Sequence, residues 1–140
     1  MTYAAIEYIT EILLDDILQF HNDLEASDIP VEDGVRDMAL LESAINAPFQ
    51  TFGGKDLFPT LFEKAARLFF GIANNHAFVD GNKRTAVHAM EVFLFMNEKT
   101  LLYETEEMET LVIGVANGSF SCEYVTEWIT KHVEKKGKTI

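Results

Sequence analysis

Residues 60–97 run Thr60-Leu61-Phe62-Glu63-Lys64-Ala65-Ala66-Arg67-Leu68-Phe69-Phe70-Gly71-Ile72-Ala73-Asn74-Asn75, then His76-Ala77-Phe78-Val79-Asp80-Gly81-Asn82-Lys83-Arg84-Thr85, then Ala86-Val87-His88-Ala89-Met90-Glu91-Val92-Phe93-Leu94-Phe95-Met96-Asn97. The first part opens with a capping box, Thr60 with Glu63 three residues on, and spaces Leu61, Phe62, Ala65, Leu68, Phe69 and Ile72 as one face of a helix that ends near Asn74-Asn75. The last part predicts a second helix starting at residues 82–84 and reaching Asn97, apolar on nearly every side and so the central helix of a bundle. Between them, a short connection holds a His, a carboxylate, a glycine, an amide, a lysine and an arginine.

Working outward, the same periodicity predicts helices over residues 10–24 (Ile12, Leu13, Ile17, Leu18, Leu24 inward), 34–46, 105–116 and 121–133. Asn117-Gly118 separates the last two, and Ala47-Pro48 closes the second, because proline disfavours helical geometry in the residue before it. No stretch alternates apolar and polar residues long enough to argue for a strand. The fold class is therefore all-α, a six-helix bundle, with 140 residues and 48% hydrophobic content suiting one globular domain over residues 1–134. Residues 49–58, with Gly53-Gly54 between two prolines, read as an ordered loop or short flap. The basic tail Lys135-Lys136-Gly137-Lys138 is expected to be disordered.

Composition narrows the function classes. A net charge of -12 repels a phosphate backbone, so no nucleic-acid partner is expected. Cys122 is the single cysteine, which excludes an intramolecular disulfide and the Cys₄ and Cys₂His₂ zinc sites, and points to a reducing compartment. Residues 1–11 lack the basic start and apolar run of a signal peptide, and no stretch nears the ~20 apolar residues that span a bilayer. The expected location is cytoplasmic, with no membrane partner.

The chemistry is concentrated in the connection. Gly81 lets the chain turn and approach a ligand closely, and the N–H groups of Asn82, Lys83 and Arg84 are then the unpaired donors of a new helix, an end that favours anions. Two cations beside it favour phosphate, and Asp80 is suited to hold Mg²⁺ against phosphate oxygens. His76 is the side chain best suited to remove a proton near neutral pH, and Phe78 is expected to anchor the loop in the core. Plainer readings fit the remainder. His88 is a core or interface histidine, while His21 and His132 are given no role. Cys122 is inert packing, Trp128, Phe93 and Phe95 are core, and the acidic run 104–109 is a solvated face at a helix start.

The run His-x-Phe-x-Asp-Gly-Asn-Lys-Arg-Thr-Ala resembles the signature of the Fic/Doc family, in particular its death-on-curing toxins from toxin-antitoxin modules. Likeness extends through Thr51-Phe52-Gly53-Gly54, the helix before the motif and the Asn117-Gly118 hairpin. The resemblance implies a compact helical bundle, with His76 as catalytic base, Asp80 as the Mg²⁺ ligand, and Gly81, Asn82, Lys83, Arg84 and Thr85 as the nucleotide-phosphate-binding segment. It implies a flap at Thr51, Phe52, Gly53 and Gly54 that docks a target, although the two glycines fit a plain turn equally. Lys83, where Fic adenylyltransferases have glycine, and Val87, where they have a second arginine, follow the Doc pattern. That pattern implies transfer of the γ-phosphoryl of ATP to a threonine of elongation factor Tu, and silencing by a cognate antitoxin. Transfer of AMP, and nucleotide binding without turnover, are the alternatives.

Overall fold

Thr60 does cap a helix. Its side chain accepts from the Glu63 N–H, and the helix that follows runs Leu61–Asn75. In the computed structural model, residues 8–134 are described, as six α-helices and one hairpin: α1 Leu14–Glu25, α2 Met38–Asn46, β1 Thr51–Phe52, β2 Lys55–Asp56, α3 Leu61–Asn75, α4 Asn82–Met96, α5 Thr105–Ala116 and α6 Cys122–His132. The basic tail falls outside the described residues. None of these helices is long and apolar enough to cross a membrane.

The centre of the bundle is α3, which packs against α2, α4, α5 and α6. This corrects the expectation that the helix after the motif would be central. Ala65, Ala66, Leu68, Phe69, Ile72 and Ala73 are all buried, whereas α4 turns Phe95 out to solvent at 72% exposure. The composition of α3 explains its place. Small residues at 65, 66, 71 and 73 let neighbours approach from several directions, and a Cβ at Gly71 would stand 3.3 Å from that of Ala44 in α2. Leucine and phenylalanine at 68 and 69 fill the spaces between.

Two expected helices begin late. Residues 10–13 are not helical, because the Asn97 side chain takes both the N–H and the C=O of Thr10, at 2.7 and 3.0 Å. Residues 34–37 are not helical: the N–H groups of Arg36 and Asp37 donate to the Ala77 carbonyl, and Val35 bridges Phe78. Both segments spend their backbone groups on distant parts of the chain, so the local helix loses. Asp37 then caps α2 by accepting from the Leu40 N–H.

The absence of strands also needs correction. Gly53 and Gly54, both with positive φ (59° and 80°), form a two-residue turn that pairs Thr51 with Asp56 and Phe52 with Lys55. The hairpin is rooted on Lys64, a buried lysine of α3 whose Nζ donates to the carbonyls of Phe58 (2.6 Å) and Pro48 (3.3 Å) and to Asp56 (3.3 Å). One cation thereby holds the segments entering and leaving the hairpin.

At the other edge of the bundle, the turn after α5 folds Phe120 back onto Gly114, where a Cβ would fall 2.1 Å from the Phe120 ring. Overpacking of that kind costs ~1–3 kcal/mol, more than the ~1 kcal/mol an alanine adds to helix propensity. Gly114→Ala is therefore expected to lower the thermal midpoint by a few degrees, measured by circular dichroism; a rise would mean that Phe120 swings away freely.

Candidate active site

The motif forms the reversal between α3 and α4, and several of its backbone groups are held by residues far off in sequence. His76 caps α3 in the left-handed region (φ 52°, ψ 41°), a conformation that non-glycine residues seldom adopt. Its carbonyl accepts from Arg36 Nε at 2.7 Å, and the Ala77 carbonyl accepts the N–H groups of Arg36 and Asp37 just before α2. Phe78 is buried, and Asn82 satisfies both its backbone groups: Oδ1 accepts from the Phe78 N–H at 2.9 Å, and Nδ2 donates to its carbonyl at 3.0 Å. The Val79 N–H donates to the Gly34 carbonyl, and the Asp80 carbonyl lies 2.7 Å from Nε2 of His21.

The start of α4 is different. Gly81 is its N-cap with φ 80°, and it has no side chain to offer. A Cβ there would stand 3.0–3.3 Å from Val31, so glycine is favoured by both backbone conformation and space. The Thr85 N–H bonds the Gly81 carbonyl as the first full helical bond. The N–H groups of Asn82, Lys83 and Arg84 are left without a partner among the described residues, at the positive end of a helix dipole.

These donors open onto a cleft of about 410 Å³ lined by Ile29, Pro30, Val31, Ala73, His76, Val79, Asp80, Gly81, Asn82, Lys83 and Arg84. His76, Asp80, Lys83 and Arg84 are exposed there, and the His76 ring makes no hydrogen bond among the described residues. Arg84 Nη1 donates to the Ile29 carbonyl at 2.6 Å, so its guanidinium forms part of the cleft wall. A histidine, a carboxylate, two cations and three free N–H groups thus share one cleft. An anion of phosphate type fits such an end, with the imidazole placed to exchange a proton beside it.

Asp80 fits a divalent cation. Oδ1 accepts from the Gly81 N–H at 2.8 Å and Oδ2 from the Glu32 N–H at 3.1 Å, which leaves lone pairs on both oxygens. Among the described residues, no cluster of three or more His, Cys, Asp or Glu could hold a metal by protein ligands alone. A single carboxylate is what Mg²⁺ needs when phosphate oxygens and water complete its shell.

Two expected site features are not brought into the cleft. Thr85 is fully buried, its N–H is used within the helix, and its hydroxyl lacks a partner, so it supplies no group to a phosphate. Thr51, Phe52, Gly53 and Gly54 do not line the cleft either. Their hairpin is rooted at Lys64, twelve residues before His76 on α3, which is about 18 Å of helix. Phe49, beside the hairpin, meets Phe93 near the far end of α4.

His21, Arg36, Gly34 and Glu32 support the loop and were not visible in the sequence as site residues, because their partners lie 40 or more residues away. His132 stacks on Trp128 and pairs with Glu107 outside the cleft, and His88 is exposed with its ring edge-on to Phe20. Cys122 is half-buried, and burial pushes its thiol up, with Arg67 opposing in part; it is no activated nucleophile.

The Fic/DOC family model matches residues 2–94, which contain the whole cleft loop. The chain belongs to the Fic/Doc family. It is 44% identical over 84 residues to the "Toxin Doc" of Mycolicibacterium smegmatis, a match that covers 59% of this chain and 65% of that protein. It is 32% identical over 71 residues to the "Protein kinase doc" of Escherichia phage P1, covering 51% of this chain and 56% of that protein. The chain thus spans about three fifths of the length of these curated relatives. The residues matched to the family include the helix start in the cleft, whose N–H groups have no partner among the described residues.

Two substitutions separate the roles of neighbouring motif residues. Asn82→Ala leaves the buried N–H and C=O of Phe78 unpaired and should cost about 2–4 kcal/mol in urea unfolding, with faster hydrogen exchange at the Phe78 amide. Thr85→Val, which replaces an unpaired buried hydroxyl by a methyl group, should be neutral or stabilise by about 1 kcal/mol and leave nucleotide affinity unchanged in calorimetry.

Proposed function

We propose that this chain is a Doc-like toxin kinase that transfers the γ-phosphoryl of ATP to a protein hydroxyl, with a threonine of elongation factor Tu as acceptor, and so blocks translation in the cytoplasm. One observation carries the proposal: the uncapped start of α4 after Gly81 opens into the same cleft as His76 and Asp80. The names of the two relatives, a toxin and a protein kinase, support it.

Phosphoryl transfer asks a protein mainly for positioning and for neutralisation of charge. The N–H groups of Asn82, Lys83 and Arg84 would bind the transferred phosphoryl oxygens without reorganising, since the loop behind them is already held. The Lys83 and Arg84 side chains would neutralise the remaining phosphates. His76 would take the proton of the acceptor hydroxyl as its oxygen bonds to the γ-phosphorus. The bond from that phosphorus to the bridging oxygen breaks, and ADP departs. Asp80 would hold the Mg²⁺, which when bound offsets negative charge on the nucleotide.

AMP transfer is the less favoured reading. The position that would carry a second arginine is Val87, half-buried on α4, so no cation stands there for a further phosphate. A cognate antitoxin would silence the protein.

Intact-mass analysis of elongation factor Tu after incubation with the protein, ATP and Mg²⁺ tests the proposal. A gain of one phosphate is expected, abolished by His76→Ala, which should slow transfer by about 10²–10⁴-fold or more as general-base loss does. A gain of AMP would transfer the chain to the nucleotidyl transferases, and an unmodified target would remove elongation factor Tu as substrate.

A further inference from the structure

We infer that His21 is a positioning residue for Asp80 and, through it, for the divalent cation that accompanies the nucleotide; this rests on the reading of Asp80 given above. His21 belongs to α1, is 2% exposed, and reaches across 59 residues of sequence to place Nε2 2.7 Å from the Asp80 carbonyl oxygen. A carbonyl only accepts, so Nε2 carries the hydrogen and donates. On the opposite side Nδ1 lies 3.2 Å from Oε2 of Glu25, one helical turn further along. The ring lies flat on Phe78, with centroids 4.0 Å apart and planes inclined by 4°. Both nitrogens and one face of the imidazole are therefore fixed.

The bond acts on a peptide, and the peptide acts on the carboxylate. The Asp80–Gly81 unit is planar, so holding its carbonyl fixes the direction of its N–H. That N–H is the Gly81 donor to Oδ1 of Asp80, at 2.8 Å, while Glu32 holds Oδ2 from the other side. The same peptide leads into the positive-φ turn from which the free N–H groups of α4 emerge. One buried imidazole thus sets the carboxylate and the anion-binding turn relative to each other. Phenylalanine would cover Phe78 without holding the peptide, and glutamine would hold the peptide with less cover. Outer groups that orient a metal ligand commonly govern metal affinity in this way.

The test compares wild type, His21→Phe and His21→Gln of the full chain for binding of Mn²⁺ with a non-hydrolysable ATP analogue, followed by electron paramagnetic resonance. Unfolding midpoints and the Mg²⁺ dependence of KM and kcat are measured in parallel. His21→Phe is expected to bind Mn²⁺ about tenfold more weakly or worse, and His21→Gln to stay within about threefold of wild type. Equal affinity of wild type and His21→Phe, or equal loss in both variants, would overturn the inference. If His21→Phe does not fold, the decision passes to the wild-type chain, where the His21 Nε2–H resonance should shift when Mg²⁺ and ADP are added; a fixed resonance counts against it. Failure of wild type to bind Mn²⁺ with nucleotide would overturn both this inference and the function proposed above. Binding without phosphate transfer would remove the transfer alone.

Discussion

Wherever one helix ends and another begins, backbone groups are left without partners, and the molecule depends on how the reversal between α3 and α4 resolves this. Carbonyls and N–H groups are treated unequally. The carbonyls of His76, Ala77, Phe78 and Asp80 all accept hydrogen bonds, from Arg36, the segment before α2, Asn82 and His21. The N–H groups of Asn82, Lys83 and Arg84 at the start of α4 have no partner among the described residues. Four carbonyls of the reversal are bonded while three N–H groups stay open at the start of α4, so main-chain donors face the cleft in a protein whose net charge is -12. Local field, and not the overall charge, decides what such a cleft attracts.

Rigidity behind the loop comes from the remainder of the bundle. With α3 at the centre, the residue that ends it, His76, is carried by the best-packed element of the fold. Asn97 performs a similar service at the far end of α4, tying the chain before α1 to the last turn. Lys64 ties down the hairpin root through three oxygen partners. Lys64 is a polar clamp buried in the core, and Asn97 is one at its edge. Each is costly if half-satisfied and directional when satisfied.

Much of this was legible from sequence where the signal was local. Thr60 with Glu63 and Asn117-Gly118 mark helix ends within four residues, and α3 begins and α5 ends close to where those residues predict, while the periodicity places α6 within a residue or two of Cys122–His132. The starts of α1 and α2 were misread because Thr10 and residues 35–37 bond to parts of the chain some 40 to 87 residues away, which no window detects. Two-residue strands are too short to alternate, so the hairpin was seen only as a glycine pair. In the cleft, the motif supplied His76, Asp80 and the helix start. Thr85 belongs to the segment that the resemblance implies, but one further step around the helix points its side chain into the core. His21 looked idle because its meaning lies in a contact across the fold.

The role of Asn82 has an evolutionary side. Its amide is committed to Phe78, so the motif's asparagine offers the cleft its N–H and little else. An anion site of the kind proposed above, written in main chain, cannot be erased by exchanging the side chains that carry it, because every residue except proline brings the same donor. Changes that abolish such a site should therefore be scarce among conservative replacements at these donors. They should gather at positions that shape the chain: Gly81, where any Cβ meets Val31, and the distant residues that hold the carbonyls.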